Sequence, residues 1–228
     1  MFYTGSANYN ADYEKSDIDT WAIVIEDEYI EEQYGMSCIK FNDEVIFFCD
    51  IRAYINGIYY SDWAYLPGLY AKYLIINPRY QDFITLLQEK REQFAYNSVF
   101  NSVRKALAVN FNFHRKNFFN IAADCTPYYK RLYYCFQILM HINIYKYKEP
   151  YASQFYNDDY GVELRKIKMG TYSYLQCRKM LNSITREIES FHPAQEDYPG
   201  FEEVLLPLIQ DIKVKLLERY ENGYSDKN

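Results

Sequence analysis

The chain of 228 residues is long enough for one large domain or two small ones with a real core, and a hydrophobic content of 49% excludes a disordered protein. A net charge of −6 disfavours broad, nonspecific nucleic-acid binding, which needs a basic field, and leaves room only for a local basic patch. The 27 tyrosines and 15 phenylalanines are too many to bury, so some form surface, either as a compositional habit, which is the plainer reading, or as stacking platforms.

Five cysteines, Cys38, Cys49, Cys125, Cys135 and Cys177, include no C-x-x-C pair and are odd in number. This fits free thiols in a reducing compartment. Three scattered histidines, His114, His141 and His192, give a zinc site little support. Neither a signal-peptide pattern nor an apolar run of about 18 residues occurs, so the expectation is a cytoplasmic protein with no membrane partner.

In chain order, Phe2 to Thr4 reads as a short strand ending at the turn Gly5-Ser6. Asp17 to Ile25 is the best strand, with Ile18, Trp21, Ile23, Val24 and Ile25 giving bulk and β-branching. Glu26 to Gly35 reads as an acidic loop. Cys38 to Cys49 reads as strand or hairpin around the turn signal Asn42-Asp43, and the unbroken run Val45 to Phe48 suits a strand covered on both faces. Asp50 suits the N-cap of a helix from Ile51, which Asn56-Gly57 would end or interrupt. Pro67-Gly68 marks a turn, Leu69 to Ile76 suits strand or helix, and Asn77-Pro78 breaks it before Phe83, Leu86 and Leu87 take helical spacing.

Beyond about residue 92 the pattern becomes helical. Helices are expected over Asn97–Phe119, Tyr128–Tyr147 with Pro127 in its first turn, Leu175–Phe191 with Ser173 as N-cap, and Phe201–Tyr220, where Pro207 kinks the helix or delays its start. This gives domains over 1–92 and 93–222, with 223–228 a frayed tail.

The first 25 residues hold the chemistry. Gly5 lets backbone approach a ligand, and Ser6 adds a hydroxyl and an N–H, together an anion cradle. Asp17 and Asp19, at i and i+2 of a strand, project together, about 7 Å apart at Cα. A pair of this kind suits hard divalent cations, and a phosphate-holding turn before it suggests chemistry on a nucleoside triphosphate.

Gly5-Ser6, Tyr9 and Ser16-Asp17-Ile18-Asp19, in that order and spacing, resemble the DNA polymerase β-type nucleotidyltransferase superfamily, and more closely the predicted bacterial and phage nucleotidyltransferases associated with RNA ligases. Asn10 stands where that motif has Gly. Asn77-Pro78 and Lys166-Ile167-Lys168-Met169-Gly170 are similar to later segments of the same family, though only the first 25 residues are specific. The resemblance implies an α+β fold, in which an N-terminal nucleotidyltransferase mixed sheet with flanking helices precedes a C-terminal helical domain, with a cleft between them. It implies that Asp17 and Asp19 hold two magnesium ions and that a third carboxylate on a later strand completes the site. Of Asp43, Glu44 and Asp50, Glu44 is preferred because it opens the apolar strand, and Asp43 is the alternative. Gly5, Ser6 and Ser16 would bind the nucleoside triphosphate (ATP among the candidates), with Lys166 and Lys168 reaching phosphate or acceptor; their plain reading is as solvated lysines.

The implied function is magnesium-dependent transfer of a nucleoside monophosphate to a hydroxyl acceptor on RNA, protein or a small molecule. The acceptor, the donor base and the oligomeric state stay open. The alternatives are a catalytically inactive nucleotide-binding or regulatory protein of the same fold, and a helical interaction module with an incidental Asp-x-Asp.

Overall fold

The structure, a computed structural model, describes residues 1–3, 11–12, 14, 18–24, 36–41, 44–59, 65–71, 74–92, 94, 106–120, 126–147, 158–191 and 206–225. The fold is α+β, mostly helical with a small mixed sheet. Two compact units divide the chain. The first takes in Met1–Asn8, Asp17–Ser98 and Glu196–Asn228, the second Tyr9–Ser16 and Val99–Gln195. The change of pattern read near residue 92 lies close to the division after Ser98, while the last helix, grouped by sequence with the helical half, packs in the first unit.

In the first unit, strands β1 (Phe2–Tyr3), β2 (Ile18–Val24), β3 (Met36–Phe41) and β4 (Glu44–Asp50) form one sheet in the order β1-β2-β4-β3. The central pair, β2 and β4, is parallel, and the outer strands run antiparallel to their neighbours. Phe41 stands opposite Glu44, as a hairpin about Asn42-Asp43 requires, though those two residues and the loop read over Glu26 to Gly35 lie outside the described residues. The apolar run of β4 is half-buried from Glu44 to Phe48 and becomes fully buried only at Cys49 and Asp50, where helix α1 (Ile51–Tyr59) begins.

Helix α1 does not stop at Asn56-Gly57 but passes through them to Tyr59. Glycine costs a helix about 1 kcal/mol relative to alanine, and here its bare Cα gives room to a ring. A Cβ on Gly57 would lie 2.5 Å from two ring carbons of Tyr65, whose ring also packs near Tyr54 at 6.2 Å. Leu69 to Ile76 gives neither a full strand nor a full helix. A buried 3-10 helix, Leu66–Tyr70, takes its first residues, Ala71 is extended, and Ile75, 73% exposed, exchanges backbone hydrogen bonds with Met1 at 2.8 Å. The Asn77 side chain then accepts from the Arg79 N–H at 3.1 Å, starting a 3-10 turn that leads into α2 (Gln81–Glu89). Phe83 and Leu87 of α2 are buried, as their spacing predicts.

Helix α7 (Leu206–Ser225) has Pro207 in its first turn, where a missing N–H is harmless, and runs past the expected end at Tyr220 into the stretch read as a tail. Its Arg219 clasps α2. The guanidinium lies 4.3 Å from the Phe83 ring and donates to the two Asp82 carboxylate oxygens at 2.9 and 3.2 Å. It also donates to the Arg79 carbonyl, and Arg79 donates to the Arg219 carbonyl.

The second unit is helical. A π-helical turn, Ala106–Phe111, leads into α3 (Asn112–Phe118), and both fall within the helix expected over Asn97–Phe119. Helix α4 (Tyr128–Tyr147) has the expected limits, and the Pro127 carbonyl accepts from the Arg131 N–H. Leu132, Cys135, Ile138, Met140 and Ile142 are all buried, so α4 is the axis against which α3 and the next two helices, Asp158–Lys168 and Tyr174–Ser190, pack. Helix α5 (Asp158–Lys168) was not anticipated. Its signals are two acids in the first turn, bases in the last, and Gly161, Leu164 and Ile167 buried at three-residue spacing. Gly170, at φ 68°, closes it, with Gly170 N–H donating to the Ile167 carbonyl and Thr171 N–H to the Lys166 carbonyl, a Schellman cap. Helix α6 (Tyr174–Ser190) opens with Ser173 and Gln176 in a reciprocal capping box.

Candidate functional site

The parallel β2–β4 pair positions the acids. Successive residues of a strand point to opposite faces, and residues paired across a ladder share one. Asp19, Trp21 and Ile23 therefore share a face with Val45, Phe47 and Cys49. On that face the Trp21 and Phe47 rings lie 6.1 Å apart, and Tyr65 meets Trp21 edge-on at 5.4 Å. Asp19 sits at the start of this row, half-buried. Thr20 and Glu44 occupy the opposite face, where the buried Thr20 hydroxyl donates to Glu44 Oε1 at 3.1 Å.

Glu44 thus stands across the sheet from Asp19. The residue opposite Asp19 in the ladder is Val45. Asp43, two positions before Val45, lies outside the described residues, as do Gly5, Ser6, Ser16 and Asp17.

Asp50 is committed elsewhere. Its side chain is fully buried, its Oδ1 accepts from the Arg52 backbone N–H at 2.7 Å, and the Arg52 Nε and an outer guanidinium nitrogen reach its two oxygens at 2.8 Å each. The acid is therefore both the N-cap of α1 and half of a bidentate ion pair, which fixes where the helix leaves the sheet. The cap is legible in the sequence; the arginine partner two residues later was missed, as was Thr20.

Lys166 and Lys168 lie at the end of α5 in the second unit. Lys166 is half-exposed, with Nζ 3.7 Å from Glu163 Oε2, an ordinary i,i+3 pair on a helix surface. Among the described residues no three His, Cys, Asp or Glu side chains gather as a metal site. No described helix is long and apolar enough to cross a membrane.

The Asp19 face continues into a cavity of about 350 Å³ within the first unit, lined by Ile23, Ile51, Tyr54, Leu69, Leu87 and Leu216 among others. Burial, helped by Cys49, raises the Tyr54 phenol far above its ordinary value, so it stays protonated. Among the described residues, those lining this cavity carry no acidic or basic side chain. Set against protein-family models, curated proteins and solved structures, the chain matches none.

Proposed function

We propose that the chain is a nucleotidyltransferase of the DNA polymerase β type, moving a nucleoside monophosphate from a triphosphate donor to a hydroxyl acceptor. The observation that carries this reading is the placement of Asp19, a half-buried carboxylate at the start of the first strand of a parallel pair, preceded in sequence by Gly5-Ser6 and Asp17 at the spacing that chemistry needs. The small mixed sheet, with a parallel central pair, supports this reading. Asp17 and Asp19 are the proposed holders of the magnesium ions, which when bound would neutralise charge on the triphosphate. Gly5, Ser6 and Ser16, with Lys166 and Lys168, are the proposed nucleotide contacts. Glu44 lies on the face opposite Asp19, which weighs against it as the third acid and leaves Asp43 as the alternative the resemblance offers.

The test is incubation of the chain with each α-labelled nucleoside triphosphate and magnesium against RNA, protein and small-molecule pools. Label transfer that vanishes in Asp19→Asn supports the reading, and transfer undiminished in a folded Asp19→Asn overturns it. The position of Glu44, together with Asn10 in the motif, favours a second reading, an inactive nucleotide-binding protein of the same fold. Calorimetric binding of a triphosphate with no transfer to any pool would select it.

A further inference from the structure

In the second unit an open groove of about 720 Å³ runs between α3 and α6, lined by Asn112, Arg115, Lys116, Phe119, Leu181, Asn182 and Thr185. Among the described residues no acid lines it. Helix α3 carries Arg115 and Lys116 and no acidic residue. On α6, Arg178 lies one turn before Asn182 on the same stripe. At the far end the Arg115 guanidinium meets Glu189 at 2.6 Å, joining the two helices and closing the groove there. Between these ends, Phe119 is 53% exposed and Lys116 and Asn182 are exposed. The floor is Leu181, buried, and Thr185, whose hydroxyl donates to the Leu181 carbonyl.

We infer that this groove binds single-stranded nucleic acid. Its parts match that ligand one by one. Lys116 in the lining and Arg178, one turn before Asn182 on α6, are the phosphate partners, Phe119 offers an aromatic face on which a base stacks, and the Asn182 carboxamide carries the paired donor and acceptor that base edges present. Basic residues on helix surfaces are commonly only solvated, but solvation does not call for an exposed phenyl ring beside Lys116 in a lining that, among the described residues, includes no acid. An acidic protein surface would match the cations and leave the ring and the amides unused. The net charge of −6 makes the binding local and sharply dependent on salt. This inference does not rest on the transfer chemistry, since it concerns the second unit alone.

The test is fluorescence anisotropy of the full chain with a labelled 15-nucleotide single-stranded RNA of mixed sequence, its DNA counterpart and its duplex, at several salt concentrations. Binding to single strands should weaken as salt rises. Lys116→Glu and Arg178→Glu should each weaken it and reduce the salt slope by about one. Phe119→Ala should weaken it about 5- to 100-fold, in line with the loss of one stacked base. All three positions are exposed, and thermal melting checks that the variants stay folded. No salt-dependent binding by the wild type overturns the inference, as do folded variants that bind like the wild type. Equal or tighter binding of a 15-residue polyglutamate that displaces the RNA overturns it too, in favour of an acidic protein partner.

Discussion

Asp19 and Glu44 stand on opposite faces of the same parallel strand pair, and Glu44 is held on its side by the Thr20 hydroxyl at 3.1 Å. The two carboxylates therefore have different consequences when neutralised. Asp19→Asn should lower nucleotide transfer by about 100-fold or more, the scale on which removing one group that stabilises developing charge acts. Glu44→Gln should change it by less than about fivefold, since the amide still accepts from Thr20. Steady-state transfer by the two variants is the check, and equal losses would return Glu44 to the site.

Removing the Asp50 carboxylate should be among the most damaging single changes in the first unit. Asp50→Ala leaves Arg52, only 17% exposed, without its bidentate partner and takes away the α1 cap. Breaking a buried pair by deleting one partner costs about 3–5 kcal/mol. Urea unfolding should show a loss of that order, and a loss under about 1 kcal/mol would mean that solvent replaces the pair.

Gly57→Ala isolates the contact that lets α1 pass its glycine. Alanine is the better helix former, so an exposed site would gain stability. Here the new methyl would fall 2.5 Å from the Tyr65 ring, which is itself edge-on to Trp21. Overpacking of this kind costs about 1–3 kcal/mol, so the variant should be less stable than wild type, with altered near-ultraviolet circular dichroism from the displaced rings.

Burial holds the His141 imidazole down to about 4, against an ordinary value of 6.5, so the folded chain keeps it neutral at neutral pH. Below 6.5 the unfolded chain takes up a proton that the folded chain refuses. Stability is therefore lost as pH falls from about 6.5 to about 4, and this contribution is flat beyond. Between pH 7 and pH 5 the wild type should lose about 2 kcal/mol more than His141→Gln, from roughly 1.4 kcal/mol per unit of separation. Urea midpoints at the two pH values measure it, and parallel losses would assign the pH dependence to other groups.

Local signals were the legible ones. Asp50 before Ile51, Ser173 as a helix N-cap, and Pro127 ahead of Tyr128 each act within a few residues, and each marks a helix start in the structure. What the chain does across long separations was less legible. The run Val45 to Phe48 is apolar at every position, so it has no alternation from which to read a face; pairing with β2, some 25 residues away, decides where Glu44 points. Gly57 looks like a helix stop until Tyr65 arrives to fill the space above it. In the segment Lys166 to Gly170, the glycine is the left-handed residue of a helix cap, a role that only the course of the chain beyond it reveals.

The buried thiols give the two units separate clocks. Cys49 belongs to the first unit, Cys135 and Cys177 to the second, and all three are buried thiols outside any disulfide. Burial pushes Cys135 up to about 12, against the pull of Arg115 and Arg131, and raises Cys177 as well. Since only the exposed thiolate reacts with an alkylating agent, each sulfur stays silent until its own surroundings open. A timed pulse of iodoacetamide followed by peptide mass spectrometry would thus record how often each unit opens, without any introduced label. Adding a triphosphate or an oligonucleotide to the pulse would then show which unit it steadies.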